Sequence, residues 1–180
     1  SSLHLPGQYM ISCFWEGQEG SFLLWMFWHA VIGLIIMSRH RTWEAPVMSI
    51  FALVQGFLAS MILGVVIPGL EMKIGSSPFI LLRDALSDPI FTLLPDFIPK
   101  DGKGLNPLLQ NYWMVIHPPT LFLGFALTLV PFAFAMAGLW MKKYTEWIKP
   151  ALPWTLLGGS ILGLGILMGG YWAYETLSFG

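Results

Sequence analysis

Four long stretches of this sequence hold no Asp, Glu, Lys or Arg in their middle, and each is long enough to cross a bilayer. A spanning helix needs about 20 predominantly apolar residues. The stretches run over about 21–38 (SFLLWMFWHAVIGLIIMS), 47–68, 118–141 and 154–174. A long amphipathic helix of a soluble protein would set charges along one face at helical period, and none of the four does so. The pattern predicts an all-α membrane protein with four transmembrane helices, forming a single membrane domain over 1–180. Two connections between the stretches are short and basic, carrying Arg39 and Arg41, then Lys142, Lys143 and Lys149. The remaining connection, about 69–117, is long and mixed in charge.

Lys and Arg concentrate in the cytoplasmic loops of membrane proteins. The two basic connections are therefore read as cytoplasmic, with the long loop between helices two and three extracytoplasmic. Residues 1–20 contain Glu16 and Glu19 but no Lys or Arg, which fits the same frame. The protein is expected in the cell inner (plasma) membrane with both chain ends outside. Trp15, Trp43, Trp113, Trp140, Trp147, Trp154 and Trp172 fall near predicted helix ends, where an indole sits well among head groups, while Trp25 and Trp28 lie deeper. Turn formers such as Pro78, Pro99, Asp101-Gly102 and Asn106-Pro107 divide the long loop, and its apolar runs at 79–86 and 89–94 predict short helices on the membrane surface.

Composition sharpens this picture. Hydrophobic residues make up 56% of the chain and charged ones 11%, with a mean hydropathy of +0.68. Soluble domains carry roughly 25% charged residues. A formal net charge of -1 without a basic face excludes nucleic acid and leaves membrane lipid as the surrounding partner. The single thiol, Cys13, excludes an internal disulfide, a cysteine-based zinc site and a CxxCH haem-attachment motif in this chain, and reads as a small buried apolar side chain. The chain opens on Ser1-Ser2-Leu3-His4 and closes on 178–180 directly after a hydrophobic run, so it is expected to be a fragment without a signal peptide.

Candidate chemistry is sparse and lies mostly at the outer helix ends. His117 precedes Pro118-Pro119, and a Pro pair suits a helix start, so the imidazole is expected at the cap of helix three. An imidazole there either ligates a haem or metal in an outward cavity or simply caps the helix. Glu16 and Glu19 precede helix one, where acids offset the positive end of the backbone dipole; the alternative is hydrogen bonding around an outer cavity. His29 lies inside helix one, and an ionisable residue in a span is either a functional group, such as an axial haem ligand or proton relay, or a neutral imidazole bonded to a neighbouring helix. His4 and His40 read as structural. Gly159/Gly163 and Gly165/Gly169, each pair four apart, predict close packing of helix four, and Pro131 a kink in helix three.

Four segments, in order, resemble a known family: Glu19-Gly-Ser-Phe-Leu-Leu-Trp25, Leu105-Asn-Pro-Leu-Leu-Gln110, Ile116-His-Pro-Pro119 and Trp172-Ala-Tyr-Glu175. Together they resemble the haem-handling cytochrome c assembly proteins of the CcmF/CcsA type, known for a tryptophan-rich WWD segment. The resemblance implies that His117 is an axial ligand to haem iron at the outer face. It also implies that the WWD platform follows this segment in the longer protein, and that a second outer histidine and at least one membrane-embedded haem histidine lie outside it; His29 matches no ligand of the family.

The function implied is part of a cytochrome c biogenesis haem lyase, in which haem (haem b in the full-length protein) is held at the outer membrane face while cysteine thiols of apocytochrome c add to its vinyl groups. Partners would be apocytochrome c and other cytochrome c maturation proteins. By position, Trp113 and Trp172 would wall the site, and Glu16, Glu19 or Glu175 would bond around it. The fragment alone is expected to bind haem weakly or not at all. Alternatives are a transporter or channel module, or a structural membrane subunit, without haem.

Overall fold

The computed structural model describes residues 2–70, 72–85, 89–94 and 97–177. Residues 86–88, which include the end of the first apolar loop run, and the closing 178–180 lie outside the described residues. The described elements are α1 (Gly7–Glu16), α2 (Gln18–Arg39), α3 (Glu44–Met61), β1 (Val65–Ile67), β2 (Met72–Ile74), α4 (Leu82–Ala85), α5 (Pro89–Leu93), α6 (Tyr112–Trp140) and α7 (Ile148–Leu177). Single 3-10 turns lie at Arg41–Trp43 and Pro107–Leu109. Four helices are long and apolar enough to cross a membrane: Gln18–Arg39, Arg41–Met61, Tyr112–Trp140 and Ile148–Thr176. The protein is an all-α, multi-pass membrane protein.

The helix ends differ from the sequence expectation in instructive ways. The second span stops at Met61, not near 68, because Gly64 takes the left-handed conformation (φ 64°) and the β-branched run beyond it pairs as a hairpin. That hairpin pairs Val65 with Ile74 and Ile67 with Met72, antiparallel. The third span starts at Tyr112, six residues ahead of the expected Pro118, capped by Asn111, whose side-chain oxygen accepts the Trp113 N–H at 3.1 Å. The fourth starts at Ile148, with Pro150 in its first turn, where a missing N–H costs nothing. At 29 residues α6 is about 44 Å long. It exceeds the ~30 Å hydrocarbon core by about 14 Å, a surplus met by tilting or by turns that lie beyond that layer.

Helix α6 is the centre of the bundle. Its Val130, Ala133, Phe134 and Ala137 are fully buried and meet Ile32 and Ile36 of α2, Val47 and Phe51 of α3, and Ala151 of α7. Helix α7 lies along α6 at close range. A Cβ at Gly124 would stand 2.7 Å from the Leu162 Cα, and one at Gly165 3.0 Å from the Leu121 Cα. Gly159 and Gly163, expected to pack, have nothing within 4 Å; the contact face is instead Gly158, Leu162, Gly165 and Gly169. The mixed spacing of four and three residues keeps that set on one helical face.

We term the end carrying Arg39–Arg41 and Lys142–Lys149 the basic end, and the opposite one the loop end. At the loop end α1 folds back on the bundle through a corner at Gly20, which leaves no room for a Cβ against the Phe14 carbonyl. There Leu5, Leu105 and Met114 form a second small core with Tyr9, Cys13, Trp15, Leu109 and Trp172 around it. The Asp101 carboxylate accepts the Leu3 N–H at 2.8 Å, the Gly102 N–H at 2.8 Å and the Ser2 hydroxyl at 3.1 Å, tying the start of the chain to the loop. These bonds, led by the one from Leu3, hold its carboxyl below the usual range.

Candidate functional site

His117 sits in the second turn of α6, not at its cap, and its ring points between α6 and α7. The proline pair that follows has a local consequence. Pro118 has no N–H to offer the carbonyl of Met114, four residues back. The indole N–H of Trp15 fills that place, donating to the Met114 carbonyl at 2.9 Å, and Trp28 donates to the Pro119 carbonyl at 3.0 Å. Trp15 thus replaces the bond that Pro118 cannot make, and Trp28 adds a second tie from α2 to the same stretch of backbone.

The imidazole is oriented from the other side. Its Nδ1 lies 2.9 Å from the Gly165 carbonyl. A carbonyl only accepts, so that bond assigns the proton to Nδ1 and leaves the Nε2 lone pair free. The ring lies where a side chain at 169 would be: a Cβ there would stand 2.7 Å from the His117 Cε1 and 3.2 Å from Nε2. Trp172 meets the imidazole edge-on, with ring centroids 5.8 Å apart at 65°. Gly169 and Trp172 also line a cavity of about 370 Å³ at the loop end, with Ala173 and Thr176 of the same helix and with Asn106 and Leu109 forming a wall from the loop. The Asn106–Gln110 segment forms that wall by local bonds: Asn106 accepts the Leu108 N–H at 3.0 Å, and the Gln110 amide donates to the Leu105 carbonyl at 2.9 Å.

Trp113 and Glu175 are brought together directly. The Trp113 indole N–H donates to a Glu175 carboxylate oxygen at 2.7 Å, and the Trp113 ring packs on Tyr171 with centroids 5.2 Å apart. Trp113 is four residues before His117, hence on the same face of α6. Nothing in the sequence singled out Tyr171, Trp15 or the Gly165 carbonyl as site groups.

A family model described as cytochrome C assembly protein matches residues 15–180. This chain belongs to the cytochrome c assembly family. It is 37% identical to the cytochrome c-type biogenesis protein CcmF of Haemophilus influenzae over 183 residues, covering 100% of this chain and 25% of the relative. It is 32% identical to CcmF of Pseudomonas aeruginosa over 185 residues, again covering 100% of this chain and 25% of the relative. With the cytochrome c-type biogenesis protein CycK of Rhizobium meliloti the identity is 34% over 180 residues, covering 97% of this chain and 23% of the relative. The chain thus spans about a quarter of the length of these curated relatives. No solved structure matches it.

Not every candidate residue of this cytochrome c assembly protein gathers around His117. Glu16 ends α1 and is exposed, so it does not cap α2, whose N-cap is Gly17. Glu19 lies in the first turn of α2, where the dipole favours it, and lines a separate cavity of about 370 Å³ with Ser60, Gly75 and Ser76. His29 is 1% exposed in the middle of α2, with ring centroids 6.0 Å from Trp25 and 5.7 Å from Phe51. Both of its ring nitrogens lack a hydrogen-bond partner among the described residues, as does the carbonyl oxygen of Gln55 beside it. These two side chains line a third cavity, of about 350 Å³, between α2 and α3.

Proposed function

We propose that this region holds haem at the extracytoplasmic face of the inner membrane for covalent attachment to apocytochrome c, as part of a haem lyase. Nε2 of His117 would hold the iron in this reading, with Trp113 and Trp172 as the aromatic walls of the site. The observation that carries it is the bond from His117 Nδ1 to the Gly165 carbonyl. A ligating histidine characteristically donates its other N–H to a carbonyl or carboxylate, which fixes its tautomer and raises its basicity. The donor set fits haem iron, for which a neutral imidazole is a standard ligand.

Each neighbouring residue has a definable task. Gly165 orients the imidazole, Gly169 leaves room for it, and Glu175 holds the Trp113 indole in place. Trp172 presents an aromatic edge to the ring and a buried indole N–H without a partner among the described residues, available to a polar group of the bound molecule. When bound, haem b would supply the iron for His117 and the vinyl groups to which the cysteine thiols of apocytochrome c add. Apocytochrome c and other cytochrome c maturation proteins are the partners this reading implies.

In cells relying on a plasmid-borne copy of the full-length protein, His117→Ala should lower holocytochrome c by more than the roughly 10–100-fold typical of losing an outer-shell partner of a metal ligand. Normal holocytochrome c levels in that strain would refute the ligand role. The orientation has its own check. With Cys13 replaced by Ser, a cysteine at exposed position 108 should react with a membrane-impermeant thiol reagent added from outside, and one at position 142 should not. The reverse pattern would invert the topology.

A further inference from the structure

The cavity with the largest volume among those described, about 640 Å³, is at the basic end, away from His117. Arg39 at the end of α2, with Arg41 and Trp43 of the turn after it, lines one side, and Lys143 and Glu146 of the α6–α7 connection, with Lys149 in the first turn of α7, line the other. Four cations thus face one carboxylate. Glu146 is occupied by Lys143 at 3.8 Å, and Arg41 by Glu44 at 4.0 Å, both at exposed or half-exposed sites where such pairs are weak. Arg39 and Lys149 have no carboxylate partner among the described residues. The fifth nitrogenous group, His40, adds no charge: its Nε2 accepts the Trp154 indole N–H at 3.3 Å, and burial, then the Arg39 charge, push its pKa down.

We propose that this cavity binds the phosphate headgroup of an anionic phospholipid. Two features select a lipid over a soluble phosphate. The cavity opens where the described spans end, at the level of the bilayer head groups, with Trp43 on its wall and the Lys143 ammonium 5.5 Å from that indole ring. Directly below it, α7 exposes Leu152 and Leu156 at 52% and 64%, an apolar track along which acyl chains lie while the headgroup stays among the cations. Helix α7 begins at Ile148 beside the cavity, so the positive end of its backbone dipole adds to the same field. Basic pockets between transmembrane helices are suited to such headgroups. The site depends only on where the spans end, and not on the side of the membrane or on haem binding.

The test uses the full-length protein in detergent, with native mass spectrometry after adding phosphatidylglycerol or phosphatidylcholine of matched chains. Phosphatidylglycerol should be retained preferentially. The variant Arg39→Gln/Arg41→Gln/Lys149→Gln should lose that preference, about fivefold in affinity for each cation removed. Lys100→Gln/Lys103→Gln, which removes two exposed cations at the loop end, should keep it, as should the charge-conserving Arg39→Lys/Arg41→Lys pair. Equal retention of the two lipids, or equal loss in the loop-end variant, would overturn the proposal. So would displacement by millimolar inorganic phosphate, which would make the site one for a free anion.

Discussion

Gly169→Leu in the full-length protein should cut haem bound at the loop end by roughly 10–100-fold while His117 remains in place, the range expected when a metal ligand loses its supporting partner. The reason is geometric. A Cβ at 169 would come within 2.7 Å of the His117 Cε1, closer than such contacts occur, so the imidazole must rotate. Rotation breaks the 2.9 Å bond to the Gly165 carbonyl, and with it the assignment of Nε2 as the free nitrogen. Gly163→Leu is the matched control, because that position on the same helix has nothing within 4 Å. The loop-end haem signal in the optical spectrum, read against that of the unaltered protein, separates the two variants. Equal signal in both would mean that the α6–α7 contact does not orient the ligand.

The second large effect is expected at His29, in the opposite direction. Leaving a buried polar group without a partner costs about 1–3 kcal/mol. Both nitrogens of this 1% exposed ring are in that state among the described residues. His29→Leu should therefore stabilise the haem-free protein by about that amount, read as a rise in its thermal unfolding midpoint. A drop in the midpoint would mean that the imidazole is bonded in the folded protein, to the Gln55 side chain beside it or to a group in the part of the relatives' length that this chain does not span. Measuring haem on the same variant decides the other question: loss of haem alongside the gain in stability would make His29 a ligand.

The spans themselves were legible because a run of apolar residues of bilayer length has few other meanings. The resemblance singled out His117, and position along the chain suggested Trp113, Trp172 and Glu175; the fold sets Trp172 against His117 and Trp113 against Glu175 at the loop end. What could not be read was set by long-range contacts. Pro118-Pro119 looked like a helix start because nothing local reveals that Trp15, 99 residues before Met114, bonds to the carbonyl that Pro118 leaves free. The short helix α1 went unread for the same reason: its worth lies in Trp15 and Cys13 packing around Leu105 and Met114. For α7, four-residue glycine spacing suggested Gly159 and Gly163, but which face meets α6 depends on the partner helix, and it is the Gly165–Gly169 face that does. The acids ahead of the first span were a true dipole signal only for Glu19; Glu16 belongs to a helix that the pattern did not show.

The most direct measurement is the optical and electron paramagnetic resonance spectrum of the full-length protein carrying His117→Gly, recorded with and without added imidazole. Removing the side chain leaves a space at the α6–α7 contact that free imidazole can enter beside the Gly165 carbonyl. The account predicts loss of the loop-end haem signal in the variant and its recovery, with the original axial ligation, on adding imidazole. A spectrum identical to that of the unaltered protein before any imidazole is added would contradict it.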